Sequence, residues 1–416
     1  MATRIYTGVD GKARKVKRIY VGVDGKARSV KKVYVGVNGK ARLCWRQPGI
    51  YKYTGTVDPL SDRVYDVCGG SVGNYAIFAG GSNTGLDGTH STMASSNMAD
   101  AYTSTLTKTS IASLGNPRRS LQSATIGNYI LFSDGITSES PNIHTLDVYD
   151  SQLSKIRSSA SKKLSNAPQS AASIAGNYAI FAGGCISLNS GSKFVNAFDK
   201  SLTGVTCSNL SYTAYGLAAS HVNNCAAFAG GVAGRGKYQE LDATTMSVTV
   251  YNSDLTKITC TGLTNQTSNL CGACTETHMF FAGGFNRKSP QGPYETVDVY
   301  DASFTKISAD PLSTGSMNMA GATLAGRYVV FGGGNDCITP STYATASHTT
   351  CDAFSRVTMY DSNIVKQSLD ELIIGRGWLG AASVGDYVIF AGGSRTFHGS
   401  GNGYPETDTV DVYEYV

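Results

Sequence analysis

This chain has little charge, little proline and almost no tryptophan. Only 16% of its 416 residues are Asp, Glu, Lys or Arg, proline occurs 10 times and tryptophan twice. Scarce proline beside 48 glycines excludes a disordered Pro/Gly chain. No run of about 20 apolar residues occurs, which excludes a helical membrane span. The opening MATRIYTGVDGKARKVKR has no apolar centre and does not read as a signal peptide. Synthesis in a cytoplasm, without the usual secretion route, is therefore expected. No stretch of useful length shows helical periodicity. Catalytic signatures are missing too. His90, His144, His221, His278, His348 and His398 form no H-x-H or H-E-x-x-H pair. No nucleophile elbow has a supporting context, and no phosphate loop is found. No catalytic residue, metal or cofactor is expected, and the chain reads as non-enzymatic. His221 and His278 lie near inner strands and are the residues to watch for an exception.

What is present is repetition. GNYAIFAGG at 73–81 returns as GNYILFSDG at 127–135, GNYAIFAGG at 176–184, NNCAAFAGG at 223–231, ETHMFFAGG at 276–284, GRYVVFGGG at 326–334 and GDYVIFAGG at 385–393. The steps between Phe78, Phe132, Phe181, Phe228, Phe281, Phe331 and Phe390 are 54, 49, 47, 53, 50 and 59 residues. A unit of that length signals a closed or stacked repeat architecture. In each unit a small, alternating segment such as QSAASIA (169–175) precedes a short turn and an apolar strand such as Tyr178 to Ala182. A variable loop follows. A third strand then runs into a turn and a fourth, as in LDVYDSQLSKI (146–156) and VDVYDASFTKI (297–307).

The first 46 residues form a different repeat of period 14: RIYTGVDGKARKVK, RIYVGVDGKARSVK and KVYVGVNGKARLCW. They carry 13 Lys+Arg against Asp10 and Asp24, whereas residues 47–416 carry 22 Lys+Arg against 28 acids. A basic arm on a mildly acidic body implies two jobs in one chain. Asp10-Gly11, Asp24-Gly25 and Asn38-Gly39 between strand-like runs are hairpin signals. The arm is expected to form a small β-meander. So little surface is buried by a module of this size that it needs a partner. Arg4, Tyr6, Arg18, Tyr20, Lys32 and Tyr34 are its candidate attachment residues. The charge is dispersed and matches no nucleic-acid motif, so nucleic acid is not the expected partner. Residues 47–50 read as a linker.

Four strands per unit, a double glycine after the second and an aromatic in the third resemble the Kelch-repeat β-propeller family over residues 51–416. Gly80-Gly81, Gly183-Gly184, Gly230-Gly231, Gly283-Gly284, Gly333-Gly334 and Gly392-Gly393 carry the resemblance, and Asp134-Gly135 stands in the second unit. The family's fourth-strand tryptophan is absent, since only Trp45 and Trp378 exist. The expected fold is all-β: a seven-bladed propeller whose last blade is completed by a strand within 50–57. The C-terminal VDVYEYV (410–416) stops after a third strand, which leaves that place open. The GV(D/N)GKAR repeats resemble prophage-encoded tail or appendage proteins of Gram-positive bacteria.

Antiparallel order puts the second-to-third-strand loops on one face. They span 82–100, 135–144, 185–193, 232–246, 285–296, 335–355 and 394–408 and share no sequence. They are rich in Ser, Thr, Asn and Gly with scattered aromatics, a composition suited to recognition. The candidate ligand-binding residues are His90, Tyr238, Tyr294, Tyr343, His348, Phe397 and Tyr404. Together with the resemblances, this implies a virion structural protein, oligomeric, attached to other virion proteins through 1–46. Its propeller loops would bind a host-surface glycan or protein, outside the cell after lysis. A capsid-decorating or head-fibre protein without a receptor, and an intracellular Kelch scaffold, remain alternatives. A propeller enzyme of the epimerase or oxidase type is the more distant one. Cys271 and Cys274 form the one CxxC and read as small apolar filler. Cys337 and Cys351 share a loop and would bridge in an oxidising setting.

Overall fold

The computed structural model describes residues 6–9, 12–16, 18–23, 26–30, 32–37, 40–46, 49–83, 94–133, 135–136, 145–160, 169–187, 190–233, 244–286, 292–336, 350–395, 397–398 and 406–416. Among these there is no helix. Seven four-stranded antiparallel sheets repeat the same order, and they form a seven-bladed β-propeller. The innermost strands are Cys68–Val72, Gln122–Ile126, Ala171–Ala175, Ala218–Val222, Cys271–Cys274, Ala320–Leu324 and Gly380–Val384. Each touches the next, and the last touches the first, so the ring is closed. Six sheets take their strands consecutively from the chain. The seventh runs Gly380–Val384, Tyr387–Ala391, Val410–Tyr415, Ile50–Lys52, as the spare strand before the first blade implied.

By its contacts the chain divides into two units, residues 54–412 and residues 1–53 with 413–416. The strand that completes the seventh sheet is held inside the second of these. Tyr413 to Tyr415 pair with Lys52 to Ile50, and Gly49 and Val416 exchange backbone hydrogen bonds of 3.3 and 3.0 Å. The rest of that unit is three hairpins: Tyr6–Val9 with Lys12–Lys15, Ile19–Val23 with Lys26–Val30, and Lys32–Val37 with Lys40–Arg46. Pairing Val9 with Lys12, Val23 with Lys26 and Val37 with Lys40 leaves two-residue turns at each Asp-Gly or Asn-Gly. The expected single meander is replaced by three separate two-stranded sheets among the described residues.

The core of each blade follows from the second strand. Its alternation is suspended, because both sides are covered by neighbouring blades. Ala76 to Ala79, Ala179 to Ala182 and Val388 to Ala391 are all 0% exposed. The repeated phenylalanine meets a third-strand aromatic edge-on. Phe78–Tyr102, Phe132–Tyr149, Phe181–Phe198, Phe228–Tyr251, Phe281–Tyr300 and Phe331–Tyr360 have centroids 6.0–6.4 Å apart at 69–81°. The tyrosine hydroxyls then clamp the segment arriving from the preceding blade. Tyr149 donates to the Ala112 carbonyl at 2.7 Å, Tyr251 to Ser208 at 2.8 Å and Tyr300 to Gly262 at 3.0 Å. Burial pushes these phenols well above their ordinary value.

The double glycine is a joint between blades. Its first member has φ of 66–73° and its second 95–113° in the six units that have both. The second donates its N–H to a carbonyl on the inlet segment of the next blade. Gly81 reaches Arg118, Gly184 Ala214, Gly231 Thr267, Gly284 Ser316, Gly334 Arg376 and Gly393 Val64, at 2.8–2.9 Å. A Cβ on the first member would stand 2.2–2.9 Å from that same carbonyl oxygen. Only glycine fits there. Two inlets are further tied by fully buried ion pairs, Arg118 with Asp147 and Arg376 with Asp411, each at 2.7 Å. Burial raises the Asp147 carboxyl, but Arg118 with Lys155 outweighs it and holds the acid below its usual range.

The third-to-fourth-strand turns are built on the Asp or Asn that follows the third-strand aromatic in the sequence. Asp150, Asp199, Asn252, Asp301 and Asp361 each accept from the backbone N–H two and four residues on, at 2.8–3.0 Å. The turn closes with an apolar residue in the left-handed region: Leu106, Leu153, Leu202, Leu255, Phe304 and Ile364, φ 60–66°. The side-chain acceptor stabilises a conformation that Leu or Ile otherwise avoids.

Candidate functional site

The propeller has one plain face and one elaborate face. On the plain face, first and second strands join through turns such as Gly73-Asn74 and Gly176-Asn177. On the elaborate face, the second-to-third-strand loops leave beside the inlets to the innermost strands. Their stems are bridged to those inlets: Tyr65 with Ser82, Arg119 with Ile136, Tyr215 with Val232, Ser268 with Phe285, Met317 with Asn335 and Gly377 with Ser394. Variable loops and the mouth of the central channel therefore share a face. This follows from the strand order, because loops two-to-three and four-to-one end on the same side.

At that mouth lies a cavity of ≈ 540 Å³ lined by residues of all seven blades. Its rim is a ring of seven equivalent residues: Asp66, Ser120, Gln169, Gly216, Asn269, Asn318 and Trp378. All seven have left-handed backbones, with φ between 53° and 64°. The reason is a circular set of hydrogen bonds. The Asp66 N–H donates to the Trp378 carbonyl, Trp378 to Asn318, Asn318 to Asn269, Asn269 to Gly216, Gly216 to Gln169 and Gln169 to Ser120, at 2.7–3.3 Å. The remaining link is made through a side chain. Ser120 donates its hydroxyl to the Asp66 carboxylate, which its backbone amide also meets. The ring is pre-organised, since each blade's position is fixed by the next.

The rim's side chains are chemically mixed. Asn269 donates through Nδ2 to Asn318 Oδ1, and Asn318 to Asn335 Oδ1, both at 3.2 Å. Arg119 lies 3.8 Å from Asp66. Burial raises the Asp66 carboxyl above its usual range, against the lowering effects of Ser120 and Arg119. Trp378 meets Tyr65 edge-on at 6.3 Å and covers Phe285 and Met317. Asn, Asp and Gly tolerate a left-handed backbone; a tryptophan there is an outlier.

Sequence reasoning did not find this ring. Its signal was faint: a hydrophobic residue just after each position, namely Val67, Leu121, Leu217, Leu270, Met319 and Leu379, with Ser170 in the third blade. The loop aromatics it favoured fare differently. Tyr294 is half-buried, and its hydroxyl accepts from Asn286 of its own loop at 3.1 Å, so it braces that loop. Phe397 lies on a short strand, Phe397–His398, paired with Thr350–Cys351 of the neighbouring loop. His90, Tyr238, Tyr343, His348 and Tyr404 lie outside the described residues, as does Cys337. In the arm, Tyr20 and Tyr34 are 55% and 54% exposed, and Arg18 and Lys32 are exposed as well. Arg4 lies outside the described residues, and Tyr6 begins the first hairpin.

His278 does not reach the channel. It opens a second strand, His278–Ala282, with Nδ1 2.9 Å from the Thr277 hydroxyl, and burial lowers its basicity. His221 is on an innermost strand beside Cys274, whose Sγ lies 3.6 Å from Nδ1 and 3.4 Å from Nε2. Near-equal distances place the sulfur away from either lone-pair axis, which is not the geometry of an activated nucleophile. Burial raises the Cys274 thiol, and His221 more than offsets it. Cys271 is buried filler, its thiol pushed up to about 12 by burial. No cluster of three or more metal-ligating side chains occurs among the described residues.

No known protein family matches this sequence, and no curated protein does. Among solved structures the chain is similar to that of YjhT, with a TM-score of 0.51 and 12% identity. The match covers 86% of this chain and 96% of YjhT. At that identity the likeness concerns the fold.

Proposed function

We propose that the protein is a non-enzymatic virion component of a bacteriophage, with an N-terminal arm that attaches it to the particle. The propeller presents its loop face to a glycan or protein on the bacterial surface. One observation carries this reading: the stems of seven loops unrelated in sequence and the channel mouth lie on one face of a scaffold locked by glycine joints and buried ion pairs. The Kelch-like repeats supply the scaffold, and the basic 14-residue repeats supply the arm. Exposed Tyr20, Val21 and Tyr34 give its hairpins an apolar surface for virion partners or for further copies of the chain. The protein is made in the bacterial cytoplasm and acts outside after lysis.

The test is binding of labelled full-length protein to intact Gram-positive cells from a panel of isolates. Strain-selective, saturable binding is expected, and protease or periodate treatment of the cells distinguishes protein from glycan. Absence of binding to every strain would remove the receptor role. Deleting 1–46 is expected to abolish association with particles while leaving strain selectivity unchanged.

A further inference from the structure

We infer that the channel mouth is a binding site for a single neutral sugar residue, seated against Trp378. This deepens the attachment reading and rests on it for the source of the sugar. The cavity of ≈ 540 Å³ falls within the range of about 300–1,000 Å³ usual for small-ligand pockets. Among the described residues its charged lining consists of Asp66 and Arg119, which lie 3.8 Å apart. Their charges cancel, so the lining favours neither an anion nor a cation. The remaining polar groups include the amides of Gln169, Asn269 and Asn318. A primary amide offers two donors and an acceptor in a plane, which matches the donor and acceptor of adjacent hydroxyls on a sugar ring.

One lining residue departs from the rest of the ring, Trp378. At the same ring position the fold elsewhere uses Asp, Ser, Gln, Gly or Asn, and a bulky residue at φ 53° is strained. Its indole packs over Phe285 and Met317 and also lines the cavity, where it offers an apolar floor for a sugar ring.

The test uses the full chain with Trp45→Phe, which leaves Trp378 as the one tryptophan. Its emission is followed during titration with methyl glycosides of neutral hexoses and N-acetylhexosamines, with glucuronic acid and glucosamine as charged controls. A saturable change with a neutral glycoside, at least about tenfold tighter than with either charged sugar, is expected. Calorimetry on Trp378→Asn, the residue already present at 269 and 318, is expected to show a loss of about tenfold or more with an unchanged melting profile. No saturable change with any neutral glycoside, or undiminished binding by Trp378→Asn, overturns the site. So does preference for a charged sugar. Cell binding separates this inference from the one beneath it. Equal cell binding by wild type and Trp378→Asn, with no sugar signal, overturns the mouth site and leaves loop-based attachment standing. A sugar signal without cell binding supports the mouth site and overturns the attachment reading.

Discussion

Two rings of left-handed residues encircle this propeller, and they have opposite sequence behaviour. The joint ring is glycine at both positions in six blades. The mouth ring is Asp, Ser, Gln, Gly, Asn, Asn and Trp. Backbone conformation is much the same at the first glycine and at the mouth residue, φ 66–73° against 53–64°. What differs is the space for a Cβ. At the joint it would collide with a carbonyl that is already accepting a hydrogen bond. At the mouth the side chains line a cavity. Positive φ therefore selects glycine only where a second backbone approaches; elsewhere it leaves the residue type to whatever the cavity requires.

Breaking the joint is expected to have the largest effects. Arg376→Ala strands the Asp411 carboxylate at 1% exposure and is expected to cost about 3–5 kcal/mol, read as a lowered midpoint in chemical denaturation. Gly283→Ala adds a Cβ 2.2 Å from the Ser316 oxygen and keeps an unfavourable φ; a loss of about 3 kcal/mol is expected. Tyr251→Phe removes the clamp on Ser208 and is expected to cost about 1 kcal/mol, seen as a lower Tm. At the mouth the same backbone should forgive change. Trp378→Asn is expected to stay within about 1 kcal/mol of wild type, because relief of the strained backbone offsets lost packing over Phe285 and Met317. A loss as large as that at the joint would show that Trp378 is a structural plug.

Acid sharpens the comparison further. Asp147 at a joint is held below its unfolded value, so its contribution is complete above about pH 3.9 and is lost as pH falls towards the folded value. Asp66 at the mouth is raised, which is the opposite sign: the penalty for its charge is relieved as pH falls through the folded value. Arg118→Met with Asp147→Leu is expected to flatten the acid limb of the stability curve, while Asp66→Asn is expected to steepen it. Denaturation midpoints measured from pH 3 to 7 check both.

Seven copies of an apolar strand closed by glycines were legible in the chain, and so was the closing of the last blade by Ile50–Lys52. Burial on both faces writes an uninterrupted apolar run, and a backbone approach too close for a Cβ writes glycine, so each leaves a fixed residue type in the sequence. The division of the basic arm into separate hairpins was less legible, because Asp-Gly and Asn-Gly specify a turn but not whether successive hairpins join. Tyr294, a recognition candidate by composition, accepts a hydrogen bond from Asn286 of its own loop, a contact that composition does not show.

The mouth ring was invisible for a related reason. Its seven residues are about 50 positions apart, differ in type and share only a backbone conformation, imposed by hydrogen bonds from one blade to the next. The sequence by itself determined the number of blades, the glycine joints and the face on which variation gathers, because those depend on contacts repeated in every unit. Only the tertiary structure decided which unlike residues meet around the channel, because closure of the ring brings each of them beside neighbours that the linear chain keeps apart.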